Sequence, residues 1–363
     1  MDVDVSLFIQ TLEVGGAQRV MVNLANGFAA EGYTTDLVLV TESGDFLEEV
    51  AEDIRIVDLG ATRTVTSILQ LRRYFQDVAP STMISAMTHT NVAVLIANIL
   101  AGSSTDVVVT EHGDFVKRYE YMTERRKERF VATIAGLLYP RADCVVANSQ
   151  TVKDGIVENT RVSKSAVEVI PNPVVTDDLN RQKKLPVDEW FQALDEPIVI
   201  SVGRLVPKKD YPTLLRAFGQ LREDTEATLV IVGDGRSRSD LEELAIELNI
   251  DDQVKFTGEI QNPFSYMARS SVFALPSATE AFGNVIVEAM ACGCPVVATR
   301  SSTGPAKILN DGEYGRLTPV GDASAMAKAL RAELADPTPE PVLQSRASDF
   351  SVDAILPRFE ALL

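Results

Sequence analysis

The chain has 363 residues, 45% of them hydrophobic, and 52 acidic against 34 basic side chains give it a net charge of −18. This length is long for one hydrophobic core and typical of two domains. The acidic balance excludes the basic footprint that binds nucleic acid, although an anionic small molecule needs only a few local cations and helix ends. Three cysteines (Cys144, Cys292 and Cys294) are too few for a disulfide framework and favour core positions in a reducing cytoplasm.

Apolar strands alternate with amphipathic helices through the first half of the chain. Strands are predicted at Val5–Ile9, Thr35–Val40, Met83–Ser85, Val107–Thr110, Cys144–Ala147 and Val167–Ile170. Helices are predicted between them, for example over Ala17–Glu31 and Ile68–Val78. This alternation is typical of a parallel sheet with helices on both faces, whose ligands bind beyond the carboxyl ends of the strands.

Two glycines, Gly15 and Gly16, follow the first predicted strand and begin the first predicted helix. Glycines permit a tight turn and a close approach of a ligand to the helix start. A plain glycine turn is the alternative interpretation.

Both histidines of the chain also follow predicted strands. His89 comes after Thr82–Ala86, and His112 comes after Val107–Thr110. Either could be a structural histidine at a helix start, but each also stands where α/β proteins place their site residues.

Residues 117–129 are locally basic in this acidic chain. With Phe115, Tyr119 and Met122 they could form a helix that touches an anionic membrane or a lipid diphosphate. A solvated helix with Glu–Arg and Glu–Lys pairs is the favoured interpretation.

A polar stretch rich in proline around 171–186 interrupts the alternation and predicts an interdomain linker. Strands are again predicted at Ile198–Val202, Thr228–Val232, Val254–Thr257, Val272–Leu275 and Pro295–Thr299. A last helix is predicted over Ser351–Leu363.

Arg204 and Lys209 lie five residues apart on the loop that follows the strand Ile198–Val202. Both can converge on one anion, and cations beside a leaving diphosphate stabilise the transition state more than the ground state. Cations before a helix oppose its dipole, and such a local conflict favours a functional role over a solvated lysine pair.

Glu280 and Glu288 flank the turn Phe282-Gly283-Asn284, between a buried strand and an apolar helix. The free N–H groups at the start of that helix can bind an anion, and each carboxylate can accept two hydroxyl hydrogen bonds. Two such acids beside an anion site suit a sugar nucleotide. The acid pairs Asp177-Asp178 and Asp251-Asp252 look like caps, so the sequence predicts no metal site.

These segments resemble the family 4 glycosyltransferases, the retaining enzymes of GT-B fold. Glu280 to Glu288 resembles their E-x7-E signature, and Gly203-Arg204-Leu-Val-Pro-Lys-Lys209 resembles their phosphate-binding segment. Val232-Gly233-Asp-Gly235 is similar to their nucleotide-pocket turn, and Val169-Ile-Pro-Asn-Pro-Val174 to the stretch before their linker. Glu13-Val-Gly15-Gly16 resembles their amino-terminal glycine loop.

The resemblance implies an α/β protein of GT-B architecture, with two doubly wound Rossmann-like domains facing a central cleft. Its expected parts are an acceptor-side domain over 1–175, a linker over 176–196, a nucleotide-sugar domain over 197–345, and a C-terminal helix over 346–363 that returns to the first domain.

The implied activity is a retaining hexosyl transfer from a nucleotide-diphosphate sugar, a UDP-sugar, to a hydroxyl of a glycan or lipid-linked glycan. No cofactor is expected, because the sugar nucleotide is a substrate, and the expected location is the cytoplasm or the inner face of the membrane. The implied catalytic residues are Glu280, Arg204, Lys209 and His112. Donor contacts are implied for Gly15, Gly16, Gly203, Gly233, Gly235, Phe282, Gly283, Asn284 and Glu288. His89 is expected on the acceptor side.

Two alternatives stay open. A sugar-nucleotide epimerase or a synthase-type enzyme would share this fold. A non-catalytic sugar-nucleotide-binding subunit would share it too. The presence of four charged residues argues against such a subunit, and these are Arg204, Lys209, Glu280 and Glu288. A nicotinamide-dependent dehydrogenase is disfavoured, because Val232-Gly-Asp-Gly235 carries only the first two glycines of the dinucleotide motif.

Overall fold

The computed structural model of the chain describes residues 3–113 and 126–363, with side chains for 3–113 and 130–363. Its internal contacts divide the chain into two units. The first comprises Met1–Val174 and Val352–Leu363, and the second comprises Val175–Ser351. Residues 176–196, where a linker is predicted, therefore group with the second unit.

The first unit is built on a seven-stranded sheet, all of whose pairings are parallel. The strands follow one another in space as β3-β2-β1-β4-β5-β6-β7. Their bounds are β1 Val5–Ile9, β2 Thr35–Leu39, β3 Arg55–Asp58, β4 Thr82–Ala86, β5 Asp106–Glu111, β6 Cys144–Ala147 and β7 Val167–Val169. The central strands β1 and β4 are buried throughout, which explains why apolar residues predominate in them.

Helices connect most of these strands, as a parallel sheet requires. They are α1 Gly16–Ala30, α2 Ile68–Asp77, α3 Thr88–Ala101, α4 Arg126–Leu138 and α5 Gln150–Asn159. Helix α3 packs against both α2 and α4. The basic stretch 117–129 lies outside the described residues, apart from the backbone at the start of α4.

The second unit contains a six-stranded parallel sheet in the order β10-β9-β8-β11-β12-β13. Its strands are β8 Ile198–Val202, β9 Thr228–Val232, β10 Val254–Gly258, β11 Val272–Leu275, β12 Val296–Thr299 and β13 Arg316–Thr318. Its longer helices include α8 Tyr211–Arg222, which packs on α13 Ala323–Ala335 beside the sheet.

The remaining helices of this unit are shorter. In chain order they are α6 Asp177–Gln182, α7 Glu189–Gln192, α9 Arg238–Glu247, α10 Pro263–Met267, α11 Asn284–Ala291, α12 Thr303–Ile308 and α14 Glu340–Ser348. Helices α6 and α7 lie where the sequence pattern predicts a polar linker without period.

The last helix, α15 Val352–Glu360, belongs to the first unit and packs against α1. Gly27 of α1 makes room for this contact, because a Cβ at that position would lie 2.8 Å from Cγ1 of Val352. Among the described residues, no helix is long and apolar enough to cross a bilayer.

Candidate functional site

The neighbouring strands β8 and β11 of the second sheet lead into connections that run in opposite directions along the sheet. From β8 the chain moves to β9, whereas β11 lies on the other side of β8 and leads on to β12. The strand order thus reverses between β8 and β11, and in doubly wound sheets ligands bind beyond the carboxyl ends at such a point. The loop after β8 carries Arg204 and Lys209, and the loop after β11 carries Glu280.

An ion pair joins these two loops, because Nζ of Lys209 donates to Oε1 of Glu280. Both side chains are largely buried, with about 15% and 14% of their surfaces exposed. Ser277 donates a second hydrogen bond to the same oxygen at 2.9 Å. The backbone adds a third link, since the N–H of Ala278 donates to the carbonyl of Lys208 at 2.9 Å.

Burial opposes ionisation of Glu280, but Lys209 and Ser277 more than compensate, and the pKa of this carboxyl is lowered. The site therefore holds an ionised carboxylate beside an ammonium group. The ammonium carries three protons, so the hydrogen bond to Glu280 leaves donors for a ligand.

The loops after β8 and β9 approach each other so closely that only glycine fits at two positions. A Cβ on Gly233 would fall on the carbonyl oxygen of Gly203, and one on Gly235 would fall on that of Leu205. Gly233 and Gly235 also have φ values of 131° and 157°, in the region that favours glycine. Glycine at these positions keeps the β8 loop in place.

Tyr211 also fixes the position of the β8 loop. It is the first residue of α8 and is buried, and its hydroxyl donates to the carbonyl of Gly203 at 3.1 Å. Asp210 before it takes a left-handed conformation (φ 48°), which ends the 3-10 turn Pro207–Lys209 and directs the chain into the helix. Sequence reasoning missed Tyr211, since nothing in its spacing distinguishes it from a core aromatic residue.

Arg204 differs from Lys209 in its surroundings. Its side chain is exposed and makes no ion pair within the described part of the chain. An exposed guanidinium next to Gly203 is available to an anion that approaches the carboxyl end of β8.

Helix α11 begins at this edge of the sheet. Its cap, Gly283, has a left-handed backbone (φ 103°) that turns the chain from the β11 loop into the helix, and Asn284 is its first residue. Glu288 lies in its second turn and is half-buried. Phe282 is buried, and its carbonyl lies so close to Gly304 that a side chain there would collide with it.

The first sheet has the same reversal of order, between β1 and β4. The residue that follows β1 is joined to the start of α3 by a hydrogen bond of 2.9 Å between Oε1 of Gln10 and Nε2 of His89. Met87, between β4 and α3, has φ 83° and ψ 140°, a conformation that is strained for any residue but glycine. Its N–H is held by the carbonyl of Thr110 at 3.2 Å.

His112 is the residue that follows β5, and β5 is the neighbour of β4 in the sheet. Burial lowers its pKa to about 4, with Asn172 opposing the shift, so the ring is neutral at pH 7. Its Nε2 lies 2.9 Å from Oγ1 of Thr110, and that hydroxyl donates to the carbonyl of Ser85 at 2.9 Å. The hydroxyl must accept from Nε2–H, which leaves the lone pair on Nδ1, an atom that is itself buried.

A buried carboxylate, Glu111, fixes the start of α3 beside His112. It accepts hydrogen bonds from Tyr139 and, at 3.2 Å, from Oγ1 of Thr88. The residue is 1% exposed. The sequence signal for it was weak, because an acid at the end of an apolar strand is equally typical of a solvated loop.

Gly15 and Gly16 lie at the start of α1, as predicted, but the tight turn expected of them is absent. Gly15 has an extended backbone (φ −179°), which any residue can adopt, and a Cβ there would meet only the flexible side chain of Gln18. These glycines, His89 and His112 belong to the first unit, whereas the other predicted site residues belong to the second. Among the described residues, no group of three or more His, Cys, Asp or Glu side chains could hold a metal ion.

Comparison with known families gives matches in both halves of the chain. Residues 14–178 match the model described as Glycosyltransferase Family 4, and residues 187–348 match the model described as Glycosyl transferases group 1.

Two curated relatives illustrate the range of the sequence matches. One is the N-acetylgalactosamine-N,N'-diacetylbacillosaminyl-diphospho-undecaprenol 4-alpha-N-acetylgalactosaminyltransferase of Campylobacter jejuni, 27% identical over 91% of this chain and 90% of the relative. The other is the GDP-mannose-dependent alpha-(1-6)-phosphatidylinositol monomannoside mannosyltransferase of Mycolicibacterium smegmatis, 35% identical over 48% of each chain.

Among solved structures, the crystal structure of Anabaena HepE in complex with UDP and glucose superimposes with a TM-score of 0.81. It covers 99% of this chain and 98% of the other at 21% identity. This likeness shows the fold and confirms the predicted α/β architecture of GT-B type.

Proposed function

Because this chain belongs to the family 4 glycosyltransferases, we propose that it transfers a hexosyl group from a UDP-sugar to a hydroxyl of a lipid-linked glycan, with retention of anomeric configuration. It would act in the cytoplasm, at the inner face of the membrane. The observation that carries the proposal is the ion pair between Lys209 and Glu280, at the point where the strand order of the second sheet reverses.

The proposed chemistry follows from the charges at that point. As the glycosidic bond breaks, the diphosphate gains negative charge, which Lys209 and Arg204 can neutralise together with the N–H groups at the start of α11. Glu280, ionised and fixed by Ser277, can accept hydroxyl hydrogen bonds from the transferred sugar. We further propose that the leaving phosphate takes the acceptor proton on the face from which it departs.

The two glutamates would have different roles. Glu288 lies inside a helix, from which it can hold the ribose hydroxyls at a fixed position. Glu280 lies on the preceding loop and would contact only the sugar. The proposed division predicts that Glu288→Gln weakens binding of UDP and UDP-sugar alike. Glu280→Gln should leave the affinity for UDP unchanged and weaken only the binding of UDP-sugar.

Support for a UDP donor and a lipid-linked acceptor comes from relatives. HepE was crystallised with UDP and glucose, and the Campylobacter jejuni relative is named for a diphospho-undecaprenol acceptor and an alpha linkage. The Mycolicibacterium smegmatis relative is named for GDP-mannose, so the donor base has to be tested directly.

The deciding experiment is a donor screen followed by a transfer assay. Thermal unfolding is measured with UDP, GDP and ADP and their sugars, since only ligands that bind the folded protein raise Tm. The stabilising donor is then incubated with undecaprenyl-diphosphate glycans, and the anomeric configuration of the product is read by NMR.

Transfer with retention, undiminished in excess EDTA, is the expected result. Interconversion of donor epimers without acceptor would instead identify an epimerase. Binding of donor with neither reaction, across a panel of acceptors, would favour a non-catalytic subunit.

A further inference from the structure

A pocket of about 460 Å³ lies along the free edge of the second sheet. Its walls come from strand β10, helix α9 and the segment that contains α7. Four consecutive residues of β10, from Val254 to Thr257, line it, although successive side chains of a strand point to opposite faces of a sheet. Because β10 is the outermost strand on its side, the pocket runs beside the strand and not over one face. Its volume is typical of a small-molecule site.

Trp190, the single tryptophan of the chain, contributes a flat aromatic surface to this pocket. The side chain lies on α7 and is 37% exposed, and it contacts the buried rings of Phe191 and Tyr266 at centroid distances of 5.5 Å and 6.2 Å. Its Nε1 donates to Oδ2 of Asp188 at 3.2 Å, and the hydroxyl of Tyr266 donates to the same oxygen at 2.7 Å. These contacts fix the orientation of the indole.

Polar groups of both signs share the pocket with this ring. Three carboxylates and one ammonium group line it, from Asp188, Glu242, Glu259 and Lys255. Glu242 is neutralised by Arg238, whose Nε donates to it at 2.8 Å. Lys255 and Glu259 are exposed, and neither makes an ion pair within the described part of the chain. The pocket therefore offers both hydrogen-bond donors and acceptors to a ligand.

This combination selects one class of ligand by its chemistry. A sugar hydroxyl both donates and accepts hydrogen bonds, so it can use a carboxylate and an ammonium group at once. The C–H face of a pyranose ring is apolar and can pack on an aromatic ring, as ligands do in pockets with few polar groups. An anionic ligand would meet three carboxylates, and a cationic ligand would meet Lys255 and Arg238.

We propose that this pocket binds a neutral pyranose ring of a glycan, with the ring stacked on Trp190 and its hydroxyls bonded to Asp188, Lys255 and Glu259. The site is separate from the proposed donor site, because β9 lies between β10 and the strand β8 whose loop carries Lys209. Two strand spacings correspond to roughly 10 Å. The proposal concerns binding and does not depend on the proposed transfer reaction.

Fluorescence titration of the full chain tests the proposal, because the emission of Trp190 reports on this pocket alone. The probes are the methyl glycosides of glucose, galactose, mannose, N-acetylglucosamine and N-acetylgalactosamine, with glucuronate and choline as charged comparisons. At least one neutral glycoside is expected to shift the emission, with a Kd of about 1 mM for a molecule of this size. Saturating UDP should leave that Kd unchanged.

Variants then locate the binding, which is measured by saturation-transfer NMR because a variant can lack the fluorophore. Trp190→Ala should weaken binding about tenfold, and Trp190→Phe should restore part of the loss. Lys255→Gln and Glu259→Gln should each weaken binding by roughly tenfold, the effect of one charge-assisted hydrogen bond. The two charge variants should unfold at the same temperature as the unaltered chain, so they keep the test valid if Trp190→Ala unfolds.

Matched controls come from the same unit. Glu243→Gln on α9 removes an exposed acid next to Glu242, and Arg216→Gln on α8 removes an exposed cation. Neither residue lines the pocket, so both variants should bind the glycoside like the unaltered chain. The proposal is overturned if none of the neutral glycosides binds, if only choline or glucuronate binds, or if UDP displaces the sugar. Unchanged affinity in Trp190→Ala, Lys255→Gln and Glu259→Gln would overturn it as well.

Discussion

Lys209 combines two tasks, of which Arg204 shares only one. It neutralises the largely buried carboxylate of Glu280, and it also lies where the proposed diphosphate would bind. Arg204 is exposed and has only the second task. Substitutions at the two positions should therefore have similar effects on catalysis and different effects on stability.

We predict that Lys209→Met and Arg204→Gln each reduce transfer by about 2–4 kcal/mol of transition-state stabilisation, the scale of a lost oxyanion donor. Lys209→Met should also lower the free energy of unfolding by about 1–3 kcal/mol, because it leaves Glu280 buried without its cation. Arg204→Gln should change stability by less than about 0.5 kcal/mol. Initial rates and calorimetric melting measure the two effects.

The double variant Lys209→Met/Glu280→Gln provides the control, because it removes both charges. Its stability should recover relative to Lys209→Met, while its activity should not. Equal melting temperatures for all of these variants would show that the ion pair contributes nothing to the fold.

His112 makes stability depend on pH in a definite direction. Its pKa is about 4 in the folded chain, against 6.5 for an ordinary histidine. As the pH falls from 6.5 towards 4, the unfolded chain takes up a proton that the folded chain does not. Up to about 3 kcal/mol of the free energy of unfolding should be lost across this window. Below about pH 4 His112 should cause no further loss.

Urea unfolding at pH 7 and pH 4.5, followed by a probe in the first unit, measures this loss. In His112→Gln the side chain cannot be protonated, so the drop in stability between the two pH values should be smaller than in the unaltered chain. An identical drop in both proteins would contradict the assignment of a histidine that is neutral in the folded chain.

At the scale of single elements, the contact between the β8 and β9 loops requires glycine at positions 233 and 235. Gly233→Ala should destabilise the protein and displace Gly203, because its Cβ would fall on a backbone carbonyl. Gly312→Ala is the matched control, since Gly312 also has positive φ (112°) but has open space around it.

The control should cost only the backbone strain of about 1–2 kcal/mol. Gly233→Ala should cost more and should also weaken nucleotide binding, as measured by calorimetry. If both variants lose the same stability and keep the same affinity, the close approach of these loops has no role in the site.

Elements that are buried on both faces were the ones that the sequence predicts well. Strands such as Val5–Ile9 and Ile198–Val202 are largely apolar because helices cover both sides of the sheet. The edge strands β3 and β13 were missed. Arg55–Asp58 is partly exposed along its length and Arg316–Thr318 has three residues, so neither carries an apolar run.

Within the site, the sequence predicts which residues are near a strand end but not which of them meet. The pair Lys209–Glu280 spans 71 positions, and it depends on the paths of two loops that have no periodic pattern. The spacing Ser277-x-x-Glu280 is the pattern of a helix capping box. Here the two residues lie before the helix, and the serine fixes the carboxylate instead.

At the scale of the whole molecule, the chain leaves the first unit at Val174 and returns to it at Val352. The returning helix α15 adds Ile355, Leu356 and Phe359 to the core that contains Phe28 and Leu24 of α1. Each of the three side chains is 3% exposed. Their burial contributes roughly 1.5–3 kcal/mol each, a large share of the about 5–15 kcal/mol that stabilises an ordinary domain.

We therefore predict that a fragment of residues 1–174 does not unfold cooperatively, whereas the same fragment joined through a flexible Gly-Ser linker to residues 352–363 does. The fragment 175–351 should unfold cooperatively without the first unit and without residues 352–363, because its core lies within its own residues. Calorimetry and near-UV circular dichroism distinguish these cases. In the linked fragment, Leu356→Ser should lower Tm, since it places a hydroxyl against α1. Equal melting of the linked and unlinked fragments would mean that the last helix covers the first core without stabilising it.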